Sequence, residues 1–221
     1  MSLKHACRVL WILALPANLI AMWMVFAYAP VEMQMGAVQK IFYYHVSSAI
    51  SGYVMVFLAF CFSIAFIWKE RRGWDILAHA AAEVGWIFLS IVIITGPVWG
   101  RAAWGKWWVW EPRLTTALIL WFMYTAYVLL RSMAQDEERQ AKMAAVLAIV
   151  AFFDVPIVNR AVAWWGSTVH PQRVGLSPEM KVTFVTSMGA VLLLASALFI
   201  TRVWAGKLEA VKRDGEIEEK A

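Results

Sequence analysis

Four tryptophans and two histidines carry the residue chemistry of this 221-residue chain. Trp104, Trp107, Trp108 and Trp110 fall within seven residues, in the segment WGKWWVWEPRLT that runs from Trp104 to Thr115. So much indole crowded on one connection between apolar runs marks a binding surface, because large exposed apolar patches are rare otherwise. A flat, apolar ligand suits such a platform. His45 lies in IFYYHVSSA and His170 in WWGSTVHP. A neutral imidazole is a common metal ligand, haem iron included. Two imidazoles, one on each face of a macrocycle, make a bis-histidine site. Their sequence separation is no obstacle, since both fall on the same membrane surface in the topology derived next.

The elements that must position these residues follow from composition. The chain is 62% hydrophobic and 16% charged, with a mean hydropathy of +0.64. A span needs about 20 apolar residues to cross roughly 30 Å of hydrocarbon. Six runs qualify, near 9–29, 41–67, 82–98, 115–131, 143–158 and 182–204. The expected fold is an all-α integral membrane protein, a bundle of six transmembrane helices forming a single membrane domain over 1–221. The loops expected outside are 30–40, 99–114 and 159–181. Lys and Arg number 13 on the side of the termini and 7 in those loops. By the positive-inside tendency both termini are cytoplasmic and the tryptophan-rich loop is periplasmic. The net charge of +5 is then mostly topological, and nothing points to nucleic acid.

The basic N-terminus, its apolar run and Ala27-Tyr28-Ala29 resemble a cleavable signal. The run is nearer 20 residues than the 7 to 15 of a signal core and holds Trp11, Pro16, Asn18 and Trp23, so it is expected to remain as the first span. Cys7 and Cys61 are expected to be free thiols, because no CxxC or CxxCH motif occurs. No nucleotide-binding glycine loop is present, so any ATPase must be another subunit. No arrangement for nucleophilic or metalloprotease catalysis appears, and the chain is not expected to be an enzyme. Aromatic belts and half-wet interfacial histidines are the structural alternatives to a ligand site. They account for Trp11, Trp68, Trp86 and Trp204, but not for four tryptophans on one connection.

WGKWWVWEPRLT resembles the tryptophan-rich signature of the haem-handling proteins of cytochrome c maturation. YYHV around His45, GPVWG before the loop, FDVPIV at Phe152–Val158 and WWGSTVHP at Trp164–Pro171 extend the likeness to the CcmC family, the short six-span branch. The resemblance implies His45 and His170 as axial ligands of a non-covalent haem b (iron protoporphyrin IX), with Trp104, Trp107, Trp108 and Trp110 as its platform. It implies residence in the bacterial inner membrane. It implies haem presentation to the periplasmic chaperone CcmE and assembly with CcmA, CcmB and CcmD as an ABC-type complex. The signature usually ends in Asp where this chain has Glu111, which keeps the charge and adds a methylene.

Haem propionates left unpaired near lipid are costly. Arg101, Lys106, Arg113, Arg160 and Arg173 are the cationic candidates, with Arg113 and Arg101 favoured because guanidinium matches carboxylate in bidentate fashion. Asp154, beside Pro156 in an apolar span, is a candidate functional acid. It is expected either to accept the second N–H of a ligand histidine or to hold a helix junction. Glu83 and His79 are expected at the inner end. Two other classes compete. One is a bis-histidine electron-transfer cytochrome that keeps its haem; the other is a structural permease subunit.

Overall fold

A computed structural model describes residues 2–133, 137–167, 169–170 and 175–220. Its helices are α1 (Leu3–Trp23), α2 (Ile41–Lys69), α3 (Arg72–Trp104), α4 (Pro112–Ser132), α5 (Glu137–Phe152), α6 (Asp154–Trp165) and α7 (Pro178–Lys220). Among the described residues there is no strand, and extended pairing is confined to the isolated bridge Glu32–Gly36. Six segments are long and apolar enough to cross a membrane: Leu3–Tyr28, Ala37–Lys69, Arg72–Trp104, Pro112–Ser132, Glu137–Trp165 and Pro178–Lys212. The chain is a multi-pass helical membrane protein. Five of the six apolar runs read from the sequence sit inside one of these segments, and the first, 9–29, ends one residue past Tyr28.

The helices extend past the apolar runs for a reason visible at one end of the bundle. Between 69 and 72 the chain turns on Glu70, in the left-handed region at φ 48°, so most of the stretch 68–81 between the second and third apolar runs is helical. Charged residues at this end of the bundle pair across helices. Arg131 on α4 meets Asp75 on α3 at 3.0 Å, Arg202 on α7 contacts Glu83, and Arg72 meets Asp214 at 2.8 Å. Pairing offsets the cost of placing charge beside apolar surface, although an exposed pair such as Arg72–Asp214 contributes at most about 1 kcal/mol. A polar cavity opens there, lined by Arg72, Asp75, His79, Arg131, Gln140 and Arg202.

Packing between helices uses small residues, as expected where lipid offers no hydrophobic driving force. Cys7, Ala14 and Ala21 recur every seven residues on α1 and are buried, and this stripe faces α7. Asn18 secures the contact by donating to Ala14 O and Ala190 O, both at 2.9 Å. The opposite face of α1, with Ile12, Leu15 and Leu19, is exposed and suited to lipid. In the centre, Val56, Ala59, Ala81, Leu89, Leu120, Tyr124, Ala148 and Ala151 form the core shared by α2, α3, α4 and α5.

The fifth span is broken. Phe153 lies in a turn between α5 and α6, and its N–H reaches back to Val150 O at 3.2 Å. Pro156 explains the break: it has no N–H for the carbonyl four residues earlier, and its ring crowds that carbonyl. Asp154 opens α6 at this junction.

Candidate functional site

Three connections meet at the end of the bundle opposite the ion-paired cavity. They are the chain entering α2, the 105–111 connection between α3 and α4, and residues 166–167 and 169–170 after α6. Gly105 caps α3 at φ 73°, a conformation that favours glycine, and lets the chain reverse. Gly100 is constrained by proximity instead. A Cβ there would stand 3.0 Å from the Trp104 ring and 3.2 Å from Lys106 O, so only glycine lets Trp104 fold back over its own helix.

Glu111 is the N-cap of α4, with Pro112 at the first helical position. Its side chain does not cap the helix it precedes. It is 5% exposed, and its two carboxylate oxygens accept from His170 Nδ1 and from the Ser167 hydroxyl. Ser167 Oγ in turn accepts the backbone N–H of His170 at 2.7 Å and of Val169 at 3.1 Å. The result is a small turn that fixes both the backbone and the ring of His170. With Nδ1–H given to the carboxylate, Nε2 keeps its lone pair. Burial pushes the His170 imidazole below its ordinary range, Glu111 pulls the other way, and Arg113 adds to the lowering. The neutral ring is the form that can ligate.

His45 reaches the same state by a different route. Its Nδ1 is 2.8 Å from Thr95 Oγ1 on α3, and the Thr95 hydroxyl donates to Ile91 O at 2.7 Å. The threonine proton is thereby committed, so Thr95 can only accept and His45 must be the donor. Its Nε2 also carries a free lone pair. His170 and Arg113 both lie within electrostatic range of His45, which brings the two histidines into one site.

The tryptophans divide in two. Trp104 stands edge-on to His170 with ring centroids 5.4 Å apart, and Trp108 is partly buried with its indole N–H unpartnered. Trp107 and Trp110 are 60% and 75% exposed. The expected flat platform is not a single plane, since Trp108 and Trp110 meet at 74°. The connection here is not helical, so successive side chains point apart.

The cations also separate. Arg101 donates to Gly105 O and braces the turn of its own loop. Arg113 is partly buried in the first turn of α4, in range of both imidazoles, and is in no ion pair among the described residues. Lys106 and Arg160 are exposed, and Arg173 lies outside the described residues. Asp154 is not the acceptor for either imidazole, a role taken by Thr95 and Glu111. One of its oxygens is buried without a partner at the α5–α6 junction. Sequence reading missed Thr95, Ser167 and Trp99. The last sits edge-on to His45 at 5.6 Å. Trp99 and Thr95 had a signal in the GPVWG segment and its preceding turn; Ser167, three residues before a candidate ligand, had only the pattern of a local side-chain turn.

Residues 2–219 match the family model described as Heme exporter protein C, CcmC. The chain is similar to Heme exporter protein C of Escherichia coli K12, 31% identical over 183 residues that cover 80% of this chain and 74% of the relative. It is similar to the protein of the same name from Bradyrhizobium diazoefficiens, 34% identical over 205 residues, 90% of this chain and 77% of the relative. The Haemophilus influenzae protein of that name is 32% identical over 196 residues, covering 86% and 78%. The chain belongs to the Heme exporter protein C, or CcmC, family.

Proposed function

We propose that this chain holds haem b between His45 and His170 at the periplasmic face of the inner membrane and presents it to the chaperone CcmE. Family membership makes it a multi-pass inner-membrane component of cytochrome c maturation that handles haem. The observation that carries the finer reading is the polar partner that each imidazole has at Nδ1, Thr95 for His45 and Glu111 for His170, from which the same tautomer follows for both. Each gives its Nδ1–H to a fixed acceptor and so has Nε2 free, from sites 125 residues apart in sequence. Outer partners of this kind orient a ligand histidine and raise its basicity.

The other groups fit the same cargo. The Arg113 guanidinium, in no ion pair among the described residues, suits a propionate, and the exposed indoles of Trp107 and Trp110 suit the apolar edge of the macrocycle or the chaperone that receives it. Axial ligation holds the haem; displacement of one histidine by a ligand from the chaperone releases it. CcmA, CcmB and CcmD complete the proposed complex, with the ATPase supplied by a partner. The test is chaperone loading in cells: His45→Ala and His170→Ala each abolish haem-loaded CcmE while the membrane protein accumulates normally. Normal loading in both variants refutes the proposal.

A further inference from the structure

The two histidines draw their hydrogen bonds from different elements, Thr95 of α3 and Glu111 of α4, yet their aromatic contacts come from one short piece of helix. Trp99 stands edge-on to His45 and Trp104 edge-on to His170, and both follow Pro97 on α3. Pro97 is inside the helix and has no N–H to give the carbonyl of Ile93, so the helical hydrogen-bond ladder is interrupted there. Gly96 precedes it, and a Cβ at that position would lie 3.5 Å from Cε1 of His45. The helix therefore passes close beside the ligand ring at the point where it is least stiff. Thr95 lies before the interruption; both tryptophans lie after it.

Resting on the reading of His45 and His170 as haem ligands, we infer that Trp99 and Trp104 are positioning residues. The segment Pro97–Trp104 acts as one hinged clamp that holds both imidazoles in ligating orientation. Trp99 also packs against Phe42 at 6.3 Å, one helical turn before His45, so its ring lies against the first turns of α2. Its indole N–H is buried without a partner, which means that the ring is placed by packing and not by a hydrogen bond. A pivot at Pro97 moves Trp99 off His45 and Trp104 off His170 together, loosening both ligands in one motion. A chaperone that engages the exposed Trp107 and Trp110, just beyond the clamp, pulls on the same segment.

The experiment uses full-length protein purified with its haem. Wild type, Trp99→Phe, Trp99→Leu and Pro97→Ala are compared for haem content, for the electron paramagnetic resonance g-values of the ferric haem, and for the rate of transfer to CcmE. Trp99→Leu is expected to shift the g-values and to speed haem loss by about tenfold or more, the usual effect of removing an outer partner of a ligand. Trp99→Phe, which keeps an edge-on ring, restores both. Pro97→Ala slows transfer several-fold, because the restored ladder stiffens the pivot. Unchanged g-values in Trp99→Leu, or unchanged transfer in Pro97→Ala, overturn the clamp. His45→Ala and His170→Ala are run beside them. If these bind haem with the wild-type spectrum, the ligand assignment itself has failed; if they lose the spectrum while the Trp99 and Pro97 variants behave as wild type, only the clamp has.

Discussion

Replacing Glu111 isolates the contribution of a single carboxylate to haem retention. Its two oxygens serve two donors, His170 Nδ1–H and the Ser167 hydroxyl, from a position 5% exposed. A hydrogen bond to a charged group contributes about 1.5–3 kcal/mol. The His170 side chain is 24% exposed, and this argues for the lower part of that range. A loss of about 2 kcal/mol corresponds to about a 30-fold faster haem loss, at 1.36 kcal/mol per factor of ten. The assay is transfer of haem from purified protein to excess apomyoglobin, followed at the Soret band. Glu111→Ala is expected near the full effect. Glu111→Gln, which keeps an acceptor without the charge, is expected near a tenfold effect. Glu111→Asp restores the residue usual in the resembled signature and shortens the reach by one methylene, so a several-fold effect is expected. The control is the same change in a His170→Ala background, where Glu111 has no imidazole to orient and its replacement should cost less than twofold. An equal loss in both backgrounds refutes the argument, because Glu111 then stabilises the loop and not the ligand.

Thr95→Val keeps the shape of the side chain and removes the acceptor for His45; haem loss should quicken about fivefold, the worth of about 1 kcal/mol for a neutral hydrogen bond, with the membrane protein's yield unchanged. Arg113→Gln should weaken haem binding by about tenfold or more while leaving binding of haem dimethyl ester unaltered, since the ester has no carboxylate to pair; Arg101→Gln should differ little from wild type. A titration of haem retention from neutral to acid pH should stay flat through the ordinary imidazole range and fall only below it. The sign follows from His170: burial lowers its pKa, so the neutral, ligating form persists further into acid before protons compete. Loss centred at or above the ordinary imidazole value contradicts this.

The spans and the two histidines were legible in the sequence because hydropathy and side-by-side counting need no tertiary information. The ends of α3 were not. Its first ten residues carry Arg72, Asp75, His79 and Glu83 nearby, which lower hydropathy, and they are helical because Arg131 and Arg202 on other helices pair with them. Glu111 stood out in the sequence only as the acid that ends the tryptophan-rich signature; in the structure it is the N-cap of α4, and an N-cap acid ordinarily spends its carboxylate on its own helix. Here the carboxylate crosses to a loop 56 residues away, and no local pattern encodes that. Asp154 illustrates the reverse case. Its type and depth left two roles open, a partner for a ligand histidine or a helix junction, and Pro156 beside it marked the break that places it at the junction. The separation of Arg101 from Arg113 likewise depends on the left-handed turn at Gly105, whose carbonyl takes up the first guanidinium.

The visible and electron paramagnetic resonance spectra of the detergent-purified protein test the central claim most directly, taken for wild type, His45→Ala, His170→Ala and the double variant. Two neutral imidazoles with free Nε2 atoms require a low-spin, six-coordinate b-type haem in wild type, a five-coordinate or replaced-ligand spectrum in each single variant, and no stoichiometric haem in the double variant. Stoichiometric haem with the wild-type spectrum in the double variant contradicts the account.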